Sequence, residues 1–357
     1  IVEEVLAEHG ISPLHLVSPR GHHFVWRIAA GTETYDALVA LGSGSPGSDV
    51  GLTPSRAPED APPRRDQGLA GAGCALMLEY LGHLVIGRAA ARSPLPVTLT
   101  DVTVGKGVRG RESISLDLSE YGDPLHTRVI RLPFSVYLKP WLKPGMMLPD
   151  GPRPPLMVVI PQHEIDTETA LRIRSDLEAA ADLARRTCMT IPEMAAGTRR
   201  LLAAYLDSPL ARFHAWYHAE PQRDAWRDDA SDAELADLPP CVASRLARPN
   251  DALLRPASLQ SLVRALWGHG WHPRRIAGLV RERYERDHDW GERWRRYDAA
   301  MRADFYTRIF AGQVATGLDE LIDFNCVSEQ EKSNCPLPDR GCDLAALRYQ
   351  ARQRRWP

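Results

Sequence analysis

Residues 15–28 read His15-Leu16-Val17, then Ser18-Pro19-Arg20-Gly21-His22-His23, then Phe24-Val25-Trp26-Arg27-Ile28. Two short apolar runs flank a segment in which Pro19 and Gly21 favour a reversal, so the pattern predicts strand, tight turn, strand. A hydroxyl at Ser18, a cation at Arg20, a glycine that lets other atoms approach the backbone at Gly21 and an imidazole at His23 together make a phosphate cradle. A bare hairpin is the plainer alternative for the same residues.

Upstream, residues 1–10 read as a helix already under way, with Val2, Val5 and Leu6 as its apolar stripe and Gly10 as its stop. Natural sequence is therefore expected before Ile1. Downstream, residues 42–70 are rich in Gly, Ser, Pro, Asp and Arg and predict a mobile loop. A helical pattern over 72–91 follows, then strand-like runs at 97–104, 114–118 and 156–160. Helix mixed with strand predicts an α+β fold for residues 1–163. Residues 164–234 read as a helical spacer with apolar residues at 3.6 spacing, such as Leu171, Ile173 and Leu177. Residues 235–357 read as an all-helical module opened by Pro239-Pro240 and bearing cysteines.

The net charge of −2 excludes a generally basic nucleic-acid binder, so any contact with phosphates must rest on local patches. Arginine outnumbers lysine, which suits bidentate phosphate recognition and equally suits a GC-rich genome. No signal peptide opens the chain and no apolar run of about 18 residues is apparent. A cytoplasmic protein with unbridged cysteines is the expectation.

A second stretch bears chemistry. Ser115-Leu116-Asp117-Leu118 places an acid in an apolar, strand-like run, an arrangement that costs free energy unless the acid has a partner such as a metal. Arg128 to Lys139 follows, with Arg131, Ser135 and Lys139 spaced by four. In an extended chain such a spacing keeps side chains on one face.

Together these residues resemble the archaeo-eukaryotic primases and primase-polymerases. Ser18–His23 resembles the family's second motif, with Pro19 where a glycine is usual, and Asp117 resembles the acid of its third. Ile130-Arg131-Leu132-Pro133-Phe134-Ser135-Val136-Tyr137-Leu138-Lys139 resembles the stretch that holds the phosphates of the incoming nucleotide. The resemblance implies templated nucleotidyl transfer with Mg²⁺ or Mn²⁺, acting on NTP or dNTP along single-stranded DNA, with replication proteins as possible partners. It assigns Ser18, Arg20, Gly21, His23, Arg131, Ser135 and Lys139 to the nucleotide and Asp117 to the metal, with Asp123 as the fallback. The family's first motif, a pair of aspartates, has no counterpart in residues 1–150. Asp287-x-Asp289 has the spacing but reads as a solvated helix face, so the chain as given is expected to be inactive.

Cys241, Cys326, Cys335 and Cys342 lack the paired spacing of zinc ribbons. They resemble the iron-sulfur domain of the primase large subunit, which implies a [4Fe-4S] ligand set. Zinc and uncoordinated thiols remain the alternatives. Cys74 and Cys188 read as ordinary thiols. Between the ligand candidates runs a belt of arginines and aromatics, including Trp267, Trp271, Arg274, Arg275, Trp290, Trp294, Tyr306 and Arg308. Arg for phosphates and flat rings for bases predict single-strand binding, led by Arg274, Arg275 and Tyr306. Interleaved acids offer the other reading, helix-surface ion pairs around core tryptophans. The alternative to an enzyme is a non-catalytic, primase-like nucleic-acid-binding module in replication, repair or a mobile element.

Overall fold

The computed structural model describes residues 1–19, 21–44, 65–100, 113–121, 131–138, 156–162, 165–187, 189–221, 238–247, 253, 255–285, 299–331, 334–337, 342 and 344–357. In chain order the described elements begin α1 (Val2–Glu8), β1 (Leu14–Ser18), β2 (Gly21–Val25), α2 (Glu33–Ser43), α3 (Arg65–Ala89), β3 (Val97–Leu99) and β4 (Ile114–Leu116). A 3₁₀ turn (Ser119–Tyr121), β5 (Ile160–Pro161), α4 (Thr167–Ile173), α5 (Leu177–Arg186), α6 (Ala195–Leu206) and α7 (Pro209–Ala219) follow. The last are α8 (Pro240–Ala247), α9 (Pro256–Gly268), α10 (Pro273–Glu285), α11 (Ala299–Ala315), α12 (Cys326–Glu331) and α13 (Leu344–Gln353). The fold is α+β, dominated by helix.

Two compact units divide the chain, a smaller one of residues 2–35 and 129–200 and a larger one of residues 36–128 and 201–357, with Ile1. These units are discontinuous and do not follow the expected consecutive segments with boundaries near 163 and 234. Strand pairing is the reason. β5 hydrogen-bonds to β1, which draws residues near 160 back onto the start of the chain.

In the smaller unit, β1 and β2 form the expected hairpin, and β5 adds antiparallel to β1 in the order β2-β1-β5. Val136 bridges Val158, so residues 134–137 extend this sheet beyond β5. Side chains alternate between faces and cross-strand partners share one. Val17, Ile160, Val158 and Phe134 occupy one face and pack on Ala170 of α4 and Ala180 and Leu183 of α5. Both helices start at aspartate caps. Asp166 accepts from Thr169 N at 2.7 Å and Asp176 from Ala179 N at 3.0 Å, each satisfying an otherwise orphaned donor. Trp26 Nε1 donates to Thr198 Oγ1 at 3.1 Å, tying the strand after the hairpin to the start of α6.

In the larger unit four prolines open helices. Pro209, Pro240, Pro256 and Pro273 each stand at the first residue of a helix, where the missing N–H leaves no bond unmade. The core gathers Phe213 and Tyr217 of α7, Leu262 and Trp267 of α9, Ile276 of α10 and Phe310 of α11. Gly73 lets α3 lie against the Leu38 carbonyl of α2, since any side chain there would overlap backbone. Contrary to the sequence reading, α3 is long and apolar enough by composition to cross a membrane, with a mean hydropathy of 1.6 over its best window. Half of that window is buried, and its centre holds the ion-paired Glu79. That is the pattern of a core helix.

Candidate nucleotide and cysteine sites

β1 and β2 place Ser18 and His23 on one face of the hairpin, because Leu16 pairs with His23 and Ser18 with Gly21. Ser18 is buried and its Oγ donates across the turn to the Gly21 carbonyl at 2.9 Å. A Cβ at Gly21 would meet nothing within 4 Å, so the space beside that backbone is open. Arg20 lies outside the described residues. His22 points to the other face, where its Nδ1 lies 2.8 Å from His15 Nε2, and His15 Nδ1 lies 2.9 Å from Glu3 Oε1. Burial first, then the neighbouring His15, lowers the His22 pKa. This Glu3–His15–His22 chain was not read from sequence. Only the strand register, which sets His15 and His22 on the same face, reveals it.

Residues 131–138 are not the single extended row expected from the spacing of four. A turn interrupts them at Pro133 and Phe134, with Phe134 at φ 61° and Ser135 N donating to Leu132 O at 3.1 Å. Beyond the turn, Val159 N donates to Ser135 O at 3.0 Å. The alternation therefore puts Ser135 and Tyr137 on the same sheet face as Ser18 and His23, opposite Val17, Ile160 and Phe134. Ser18 and Ser135 stand at the same level, two strands apart, which is about 10 Å at the usual strand spacing. The Arg131 guanidinium lies over the Tyr137 ring, 4.7 Å from its centroid. The sheet thus brings Ser18, His23, Ser135 and Arg131 to one face by a route different from the expected one. Ser135 Oγ donates to Leu132 O at 2.7 Å. Lys139 lies outside the described residues.

Asp117 differs more from its expected setting. It falls just after β4, is exposed, and accepts the Ser119 N–H at 3.0 Å and the Ser119 hydroxyl, capping the 3₁₀ turn. Asp117 is therefore not the buried strand acid expected from its apolar neighbours, and Ser119 is among its partners. Asp117 belongs to the larger unit, whereas Ser18, Gly21, His23, Arg131 and Ser135 belong to the smaller one. Asp123 lies outside the described residues.

The cysteines come from three places. Cys241 is buried in the first turn of α8, Cys326 opens α12 behind its cap Asn325, and Cys335 and Cys342 follow in the segment before α13. They share one electrostatic environment. Burial, followed by Glu329 and by the thiols of Cys342 and Cys335, pushes Cys241 up to about 12. Burial and then Cys326 raise Cys342, with Cys335 adding to it. Cys326 Sγ donates to the Cys342 carbonyl at 3.3 Å. An ion pair one helical turn away clamps the two thiol-bearing helices together. Arg245, four residues after Cys241, pairs with Glu329, three after Cys326, and Ser261 Oγ donates to Glu329 at 2.6 Å. Among the described residues, no group of three or more His, Cys, Asp or Glu side chains is arranged to hold a metal ion. As a donor set, four thiols of this kind suit an iron-sulfur cluster or zinc.

The arginine-aromatic belt is largely internal. Arg274 is 1% exposed, pairs with Asp304 and stacks over Tyr217, and Tyr306 is buried against Phe310 and Arg302. Arg308 is buried on Glu79 and Trp267 is a core residue. Arg275 is half-buried and lies 4.0 Å from the centroid of the Trp271 ring. Arg274 and Tyr306, expected on a DNA-binding surface, are thus inside the helical core. Interleaved acids close these cations into the helical core, and helix packing consumes the rings. Trp290 and Trp294 lie outside the described residues.

The chain matches no family profile, no curated protein and no solved structure.

Proposed function

We propose that the chain is a primase-type nucleotidyltransferase of the cytoplasm, in which a nucleotide-binding sheet is combined with a cysteine-ligated helical module. The observation that carries this reading is the gathering of Ser18, His23, Ser135 and the Tyr137-stacked Arg131 on one sheet face beside the open Gly21 backbone. A triphosphate concentrates negative charge, and fixed donors and cations on a rigid sheet are what it requires. Ser18 and His23 would hold phosphate oxygens and Arg131 would neutralise them. Transfer in this class uses two divalent cations, Mg²⁺ or Mn²⁺, between carboxylates. Asp117, exposed and engaged by Ser119, would be one of those carboxylates and does not complete the set by itself.

That same capping role favours a second reading, a primase-like module that binds nucleic acid without catalysis. Nucleotide incorporation on a single-stranded DNA template separates the two. The enzyme reading expects metal-dependent extension that Asp117→Ala abolishes and a nucleotide requirement that Arg131→Ala raises roughly tenfold or more. Failure to incorporate NTP or dNTP on any template would leave the binding module.

Cys241, Cys326, Cys335 and Cys342 would hold a [4Fe-4S] cluster. Protein purified without oxygen is then brown and contains about four irons per chain. Cys241→Ser or Cys326→Ser bleaches it. Stoichiometric zinc in a colourless anaerobic preparation would assign a structural zinc site instead.

A further inference from the structure

With Arg274, Tyr306 and Arg308 of the belt buried, a nucleic-acid strand needs another surface. We infer that the outer face of α13 and the residues after it bind single-stranded nucleic acid, through Arg348, Arg352 and Arg355 on phosphates and Tyr349 against a base. This inference rests on the nucleic-acid reading above and locates its contact surface.

Charge comes first. Residues 344–357 hold four arginines and no acid, in a chain whose net charge is −2. The belt, by contrast, alternates Arg with Asp and Glu. Packing then fixes which of these arginines face outward. α13 buries Leu344, Leu347 and Ala351, and Trp267 Nε1 of α9 donates to the Ala351 carbonyl at 3.2 Å. Arg354 is held inward, donating to the carbonyls of Trp267 and Trp271 at 2.8 and 2.7 Å. Trp356 packs edge-on against Phe213 and donates to the Ala315 carbonyl at 2.8 Å. Arg355 sits between these two anchors, exposed and held in place.

On the opposite side Tyr349 is 66% exposed, an unusual position for a ring with nothing to cover it. The side chains of Arg348, half-buried at the flank of α13, and of Tyr349 and Arg355, both exposed, make no hydrogen bond or ion pair with any other described residue. Arg352 donates from Nε to the Glu320 carbonyl at 3.1 Å, which orients its guanidinium without neutralising it. Arg348 and Arg352 are one turn apart, about 6 Å along the helix, with Tyr349 beside them. Cations in a row with an exposed ring are the chemistry of single-strand recognition. A duplex keeps its base faces stacked and gives Tyr349 nothing to bind. A lipid surface would need the apolar side of α13, which is already in the core.

The test is the fluorescence anisotropy of a labelled oligothymidylate with the whole chain, across a salt series. Arg348→Gln and Arg355→Gln are each expected to weaken binding roughly fivefold to tenfold and to lower the salt slope by about one. Tyr349→Ala should weaken it about tenfold with the slope unchanged, and Tyr349→Phe should restore it. Arg185→Gln, on α5, serves as the exposed-arginine control. Wild-type binding that all α13 variants retain would overturn this surface and leave the nucleic-acid reading standing. No binding by the wild type at low salt would remove both. Equal affinity for a duplex or for polyglutamate, insensitive to Tyr349→Ala, would make α13 a general anion-binding face and overturn the inference.

Discussion

Glu79→Ala is expected to destabilise the chain by about 3–5 kcal/mol, the usual cost of removing one partner of a buried ion pair. Glu79 lies at the middle of α3, 1% exposed. Its carboxylate accepts His214 Nε2–H at 2.9 Å and Arg308 Nε–H at 2.9 Å, with Arg308 Nη2 also against it. The bonding fixes the tautomer of His214. Nε2 carries the proton toward Glu79, and Nδ1 accepts from the Tyr205 hydroxyl at 2.9 Å. Burial pushes the carboxyl up, and Arg308 and His214 outweigh it, holding Glu79 at about 2. Without the carboxylate, Arg308 stays buried, and among the described residues Asp304 at 3.3 Å is the acid left to answer its charge. Urea denaturation gives the measurement, read as a midpoint shift at unchanged slope. The companion double variant, Glu79→Leu with Arg308→Met, should recover much of the loss because neither partner of the Glu79–Arg308 pair is then left buried and unpaired. A single-variant cost below about 1 kcal/mol would mean that water reaches this network, contrary to the geometry.

Acidification from pH 7 to pH 5 is expected to remove about 4 kcal/mol of stability, most of it through two half-buried histidines. Burial, partly opposed by Glu79 and reinforced by His214, lowers His83 to about 4. Burial, Arg308, His214 and Arg274 lower His218 to about 2. Both are therefore neutral in the folded chain at pH 5, whereas in the unfolded chain they protonate below about 6.5. The unfolded state binds more protons across this window, so stability falls as pH falls from 6.5 toward the folded values. Each histidine contributes about 2 kcal/mol by pH 5, and His214, whose pKa burial also lowers, acts in the same direction. Glu79 acts in a lower window, its contribution present above about 4.5 and lost as pH approaches 2. Thermal unfolding of the wild type and of His218→Leu at pH 7, 6 and 5 tests the assignment. The variant should lose about half of the acid sensitivity, and a wild-type transition independent of pH over that range would refute it.

Local pattern made the hairpin at Ser18–Gly21 legible, because alternation and turn chemistry are properties of a few neighbouring residues. The helices from Asp166 onward were legible for the same reason, their caps and periodicity being written within one or two turns. The four cysteines stand out in the sequence by residue type alone, but among the described residues no three such side chains are arranged to hold a metal ion. What the tertiary structure adds is the joining of α8 and α12, the helices of Cys241 and Cys326, by Arg245 and Glu329, which are 84 residues apart.

What the linear order left open was every question of burial. Arg274 and Arg352 are the same residue type in similar helical surroundings, yet one is sealed on Asp304 and the other lies exposed on the outer side of α13. Asp117 looked buried from its apolar neighbours and is exposed because β4 ends at Leu116. Arg131 reaches the face of Ser18 through a turn and a stack on Tyr137, which spacing along the chain does not encode. Propensity and periodicity act over a few residues and specify the elements. Which charge is buried, and against what, is set by contacts between segments far apart in the chain, and there desolvation and pairing decide the outcome.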